Sequence, residues 1–219
     1  MSTVRRAQSR LSLDRSVAGM MAATVVGYGL LAGEELTSHK AGMVTSLASY
    51  QSIVAALLVS TTVAKEFETG TIQWGLTQRL SRGAWLWWRT WPMLVFVALA
   101  GAGLGGVMAY VERHTPADMV AYLDRAQLVN GRWPLAVADI VLAAAIGILV
   151  GVTTRRVVPA AAISAAVVIA LSYAASTGRG SLAPGLSVAS AAWCIGAGEV
   201  LAAALVLALT ARGLRRRDI

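Results

Sequence analysis

Apolar residues dominate this chain in six long stretches, at about 16–33, 43–64, 85–111, 135–153, 157–175 and 187–211. Crossing a bilayer as a helix takes about 20 predominantly apolar residues, with a range of roughly 17–25. The pattern therefore predicts an all-α integral membrane protein with six spans. The third stretch is long enough to tilt or to extend past the membrane. Only a few residues around Arg155-Arg156 separate the fourth stretch from the fifth, which predicts a tight helical hairpin. One polar interruption stands out, Lys65-Glu66-Phe67-Glu68-Thr69-Gly70-Thr71-Ile72-Gln73, between the second and third stretches. Lipid accepts charged, irregular backbone only outside the hydrocarbon or where protein or water covers it. This polar island is expected to be a loop or a helix lying on the membrane surface.

The flanking regions complete a three-part organisation: a lead-in over 1–15, the six-span domain over 16–211 and a basic tail over 212–219. In the lead-in, Val4, Ala7 and Leu11 recur at helical spacing among Arg5, Arg6 and Arg10. That reads equally as an amphipathic helix on the leaflet or as a basic tail. Between the third and fourth spans, Thr115 can cap a helix starting at Pro116, with Asp118 in its first turn. Met119, Val120 and Leu123 give that helix an apolar face, and Asn130-Gly131 closes it.

Composition agrees with the pattern. Hydrophobic residues make up 57% of the chain and charged residues only 14%, with a mean hydropathy of +0.64. A soluble domain carries about 25% charged residues. The basic residues are also unevenly distributed. With six spans, 14 of the 19 Lys and Arg fall on the side that holds both termini and the polar island, and 5 on the other. The positive-inside rule then makes that side cytoplasmic, in a multi-pass protein of the cell inner or plasma membrane. The net charge of +8 is accounted for by topology, and a nucleic-acid partner is not needed to explain it. Arg outnumbers Lys 17 to 2, which with the Ala and Gly content points to a GC-rich bacterial genome. Cys194 is the single cysteine and has no intrachain partner.

Candidate chemistry is sparse. Glu34-Glu35 would suit a paired-glutamate intramembrane protease only with an Arg four residues after Glu35, where His39 stands, and with histidines deep in other spans. The two histidines, His39 and His114, fall in predicted outer loops, so no metal site is expected. Ser181 after Gly180 lacks a partner base within any span. No Gly-rich run ending in Gly-Lys-Ser/Thr is present, so the chain has no phosphate loop and is not expected to be an enzyme. Any ATP-driven work would need an ATPase in another subunit. Two acids lie within spans, Asp139 and Glu199, and buried ionisable groups are expensive enough to be functional candidates. Asp139 is near an end and can reach water or Arg132. Glu199 sits mid-span beside Gly196 and Gly198, where it either lines a translocation path or pairs with a neighbouring helix. Gly101 and Gly105, like Gly147 and Gly151, are four residues apart, which permits close helix approach.

The stretch from Lys65 to Trp91 reads KEFETGTIQWGLTQRLSRGAWLWWRTW. It resembles the loop between the second and third spans of the permease subunits of type-2 ABC exporters. The positions that match are Glu66, Glu68, Gly70 and Thr71, then Leu76-Thr77-Gln78, then Ser81-Arg82. The resemblance implies that a short coupling helix here docks in a groove on a separate ATPase, with Glu66, Glu68, Gly70 and Thr71 as its positions. Phe67 would be an apolar anchor for that groove, and acids in a first turn would suit the helix macrodipole. Trp85, Trp87, Trp88 and Trp91 with Arg82 and Arg89 mark where the third span enters the membrane. The resemblance further implies two permease chains, alike or related, with two ATPase chains that bind ATP and Mg. The cargo would be a drug, antibiotic, peptide or lipid-like compound. One departure is visible: the link between the last two spans, Ser176 to Ser187, is short, and the larger outer element lies between the third and fourth. Two other classes compete, an ATP-independent secondary transporter and a non-transporting membrane anchor or sensor for a soluble partner. The first would need more mid-membrane charge pairs or broken helices than Asp139 and Glu199 provide.

Overall fold

The computed structural model describes residues 41–70, 82–114, 129, 132–179 and 187–216. The lead-in over 1–15, the first predicted span, Thr71, most of the predicted outer helix and the end of the basic tail lie outside the described residues. What is described is helical: α1 (Ala41–Glu68), α2 (Arg82–His114), α3 (Trp133–Thr154), α4 (Val157–Arg179) and α5 (Val188–Arg216), with no strand among these residues. Each helix falls on one of the second to sixth predicted stretches. Three of them, α3, α4 through Ala175 and α5 through Leu214, are long and apolar enough to cross a membrane. The 22 residues of α3 extend about 33 Å at helical rise, close to the ~30 Å depth of the hydrocarbon.

α3 is the hub, packing against all four other helices. Its start is set by Arg132, whose extended backbone precedes Trp133 and Pro134. The N–H groups of Leu135 and Ala136 both donate to the Arg132 carbonyl, at 3.1 Å each. Proline suits this position because a first-turn N–H has no intrahelical acceptor anyway. Thirteen of the helix's residues are buried, among them Leu135, Ile140 and Ile148 with almost no exposed surface.

Small residues let the neighbours come close. A Cβ added to Gly147 would lie 2.7 Å from the Ala56 carbonyl oxygen of α1, and one added to Gly151 would lie 2.8 Å from that of Ser60. On α2, a Cβ at Gly101 would stand 3.0 Å from the Val137 Cα, and one at Gly105 would run into Trp133. On α5, Gly196 faces Pro134 and Ala138. These pairings also fix direction. Numbers rise together on α1 and α3, and on α5 and α3, but oppositely on α2 and α3. Ser60 Oγ of α1 and Ser164 Oγ of α4 are 2.9 Å apart and fully buried, whereas the α1 end at Glu68 meets the α4 start at Val157. Thus α1, α3 and α5 run one way and α2 and α4 the other. The C-terminal ends of α1, α3 and α5 and the starts of α2 and α4 gather at one end of the bundle.

Tryptophans mark both ends. Trp133 and Trp193 meet edge to face at 5.1 Å at one end, and Trp87 and Trp91 stack at 5.3 Å toward the other. All four are exposed, as is Trp88. Indole rings prefer the headgroup level, so two such belts on an apolar bundle fit the two faces of a bilayer.

The helices overrun the predicted spans. α1 continues from 64 to Glu68 and takes in the first four residues of the polar island, and α5 carries the start of the basic tail as far as Arg216. Hydropathy detects where lipid contact stops, but a hydrogen-bonded helix continues into water until a residue breaks it. Substituting Gly147 by Leu is expected to destabilise the bundle by about 1–3 kcal/mol or more, because the clash is with backbone that cannot yield. Gly103→Leu, where nothing lies within 4 Å, should leave thermal unfolding in detergent near the wild-type midpoint.

Candidate functional site

The polar island begins as the last turn of α1. Lys65 to Glu68 are helical, and the turn closes when the Thr69 N–H donates to the Lys65 carbonyl at 2.9 Å and the Gly70 N–H to that of Phe67 at 3.2 Å. Gly70 takes φ +68°, the left-handed conformation that ends many helices and that glycine adopts without a Cβ penalty. Glu66 and Glu68 therefore occupy a C-terminal turn, where the unsatisfied carbonyls make the helix end negative. This reverses the expectation that the macrodipole favours them. Their stabilisation has to come from elsewhere in the fold.

It comes from two other helices. Arg89 of α2 forms an ion pair with Glu66 through Nε and Oε1, with both side chains mostly buried. Glu68 Oε2 accepts a hydrogen bond of 3.0 Å from the Val157 N–H, in the first turn of α4. First-turn N–H groups lack intrahelical acceptors and carry the positive pole of the helix. Glu68 thus caps α4 from a residue 89 positions away in sequence, in the manner of an ordinary N-cap side chain.

Phe67, between the two acids, is half-buried inside the protein. Its ring meets Trp85 of α2 edge to face at 6.0 Å, and the Arg155 guanidinium lies 5.5 Å from its centroid. Both are recognised attractive arrangements, through the ring's negative face and positive edge. Phe67 also packs against the core cluster that holds Val63, Leu86, Val152 and Leu214. Arg155 itself closes α3: its backbone sits at φ 55° and ψ 13°, and its N–H donates to the Gly151 carbonyl at 3.1 Å. For a residue with a Cβ that conformation costs roughly 1–2 kcal/mol.

The sequence-predicted residues therefore divide. Glu66, Phe67, Glu68 and Gly70 come together at one end of the bundle, and Thr71 lies outside the described residues. Gly101, Gly105, Gly147 and Gly151 are in the helix contacts already given. Glu199 is half-buried on α5, and Asp139 half-buried on α3 near the opposite end. The sequence reading missed Arg89, Trp85 and Arg155 as parts of this cluster. From sequence, Trp85 and Arg89 belong to the membrane entry of the third span. That role suits Trp87, Trp88 and Trp91, which are exposed, but Trp85 turns inward. The available signal for Arg155 was a two-residue turn between apolar helices that contains no glycine.

Farther along α1, roughly 25 Å from Glu68 at helical rise, a cavity of about 20 Å³ lies among α1, α2 and α3. Gln51 lines it, with Val54, Ala55, Leu58, Val97, Ala100 and Ile140, and Gln51 Oε1 is buried without a hydrogen-bond partner among the described residues. The space suits a single water, but one polar wall among apolar ones is fewer than the two to four partners a buried water usually has.

Removing Arg89 leaves Glu66 against the negative end of α1. Arg89→Ala should destabilise the protein by about 1.5–3 kcal/mol, the range for a hydrogen bond to a charged group. A double-mutant cycle with Glu66→Ala, read by thermal unfolding, should show the two changes to be strongly non-additive.

A family model described as ABC-2 membrane transporter related matches residues 31–179. Neither a curated protein nor a solved structure matches the chain.

Proposed function

Because this chain belongs to the ABC-2 membrane transporter related family, we infer that it is the permease subunit of an ATP-driven exporter whose ATPase is a separate chain. Six spans, both termini in the cytoplasm and an assembly of two permeases with two ATPases complete the reading. Closure of the ATPases on ATP and Mg would move the polar islands and switch the spans between inward- and outward-open arrangements. Resemblance to the exporter permeases makes the cargo a drug, antibiotic, peptide or lipid-like compound, and the apolar spans fit an amphipathic or hydrophobic molecule better than an ion.

The observation that carries this reading is the connection at Glu66–Glu68. A helix end that merely led into a connecting loop would need no such polar contacts with other helices. Here three consecutive residues reach α2, the α3–α4 turn and the start of α4. A push on the island is thereby delivered to helices across the bundle. Glu199 of α5 is our candidate for the translocation path, and Glu199→Gln should change transport.

Assembly provides the test. Co-expressed with its ABC ATPase, the permease should co-purify and alter ATP turnover. Glu68→Arg combined with Gly70→Pro removes the α4 cap and forbids the positive φ, so it should abolish that effect. Normal assembly and normal turnover in the double variant would refute the assignment of the island.

A further inference from the structure

We propose that Arg155 is a positioning residue for coupling: its guanidinium, held over Phe67, clamps the end of α1 to the α3–α4 turn, so that movement of the island is delivered to α4. This rests on the reading of the chain as an ATPase-coupled permease. The starting observation is a mismatch between residue and backbone. Position 155 lies in the left-handed region, at φ 55°, and is the only non-glycine with positive φ among the described residues. Glycine would adopt this conformation at no steric cost and could make the same N–H bond to the Gly151 carbonyl. The turn alone gives no reason for an arginine. The side chain gives one: its charge lies 5.5 Å from the Phe67 centroid, and its buried Nε has no hydrogen-bond partner among the described residues.

The geometry makes the clamp directional. Phe67 is also held by Trp85 of α2, edge to face. Glu68, the next residue, holds the Val157 N–H, two residues beyond Arg155. Two adjacent residues of α1 thus grip two near-adjacent points of the α3–α4 link, one through a side chain and one through backbone. A pair of points on each partner transmits rotation as well as translation, which a single contact cannot do. α4 is also the helix that α1 meets again deep in the bundle, through Ser60 and Ser164. A displaced α1 end is therefore levered about that buried contact.

The test uses the full-length permease, alone in nanodiscs and in complex with its ATPase. Arg155→Gly relieves the backbone and deletes the clamp, and Arg155→Lys keeps a cation over the ring. In the permease alone, Arg155→Gly should hold or raise the thermal midpoint. It should also speed amide exchange of the Lys65–Gly70 segment roughly fivefold, the scale of one partly desolvated cation–π contact. In the complex, Arg155→Gly should leave assembly intact but remove most of the permease's effect on ATP turnover. Arg155→Lys should retain most of that effect, and Phe67→Leu should cost less in the Arg155→Gly background than in the wild type. Wild-type exchange together with wild-type turnover in Arg155→Gly would overturn the clamp and leave the coupling reading standing. A wild-type permease that binds no ATPase would overturn both. A lower thermal midpoint in Arg155→Gly, with turnover lost equally in Arg155→Lys, would reduce Arg155 to a structural turn residue.

Discussion

The close approach of α1 to α3 at Gly147 and Gly151 governs the rest of the arrangement. Between apolar helices in lipid there is little hydrophobic force to gain, so contact depends on backbones coming near enough for dispersion to add up. With the Ala56 and Ser60 carbonyls seated where side chains would otherwise be, α1 has one height against α3. That height brings the end of α1 level with the turn that ends α3. A different register would separate Phe67 from Arg155 and Glu68 from Val157. Packing deep within the bundle thus decides which charged groups meet at its surface.

At that surface the electrostatics follow from helix direction. Helices α1, α3 and α5 end where α2 and α4 begin, so negative and positive poles are interleaved at one end. Glu66 and Glu68 would be unfavourable on an isolated α1. They become favourable through a neighbouring positive pole and an arginine from α2. The acids therefore depend on tertiary structure and also contribute to it, which ties the end of α1 to its surroundings more firmly than apolar contact alone would.

Much of this architecture was legible in the sequence. Hydropathy located the helices because lipid contact imposes a length and an apolar composition, and the hairpin at Arg155-Arg156 followed from the shortness of the link. The pairs Gly101/Gly105 and Gly147/Gly151 were visible as spacing, although only the structure assigns the first pair to α3 from α2 and the second to α1. Less was legible at the island. Its acids read as the start of a helix because periodicity cannot say whether a polar stretch continues the preceding helix or begins another. Gly70, which ends the helix, was noted only as part of a motif. Arg89, Trp85 and Arg155 were hidden for a different reason. They are 18 or more positions from the island residues they touch, and a basic or aromatic residue beside a span already has a sufficient explanation in membrane anchoring.

The bond from Glu68 to α4 ends on a backbone amide, and this has a consequence for variation at the site. A main-chain acceptor or donor is present whatever side chain the residue carries, provided that it is not proline. The link is therefore indifferent to the identity of residue 157 but strict about its count. Inserting or deleting one residue between Thr154 and Val157 would turn a different amide toward Glu68, or none. Chemistry at position 157 is free to drift, whereas the length of the turn before it is not, so Val157 should tolerate substitution far better than the turn tolerates a change in its number of residues.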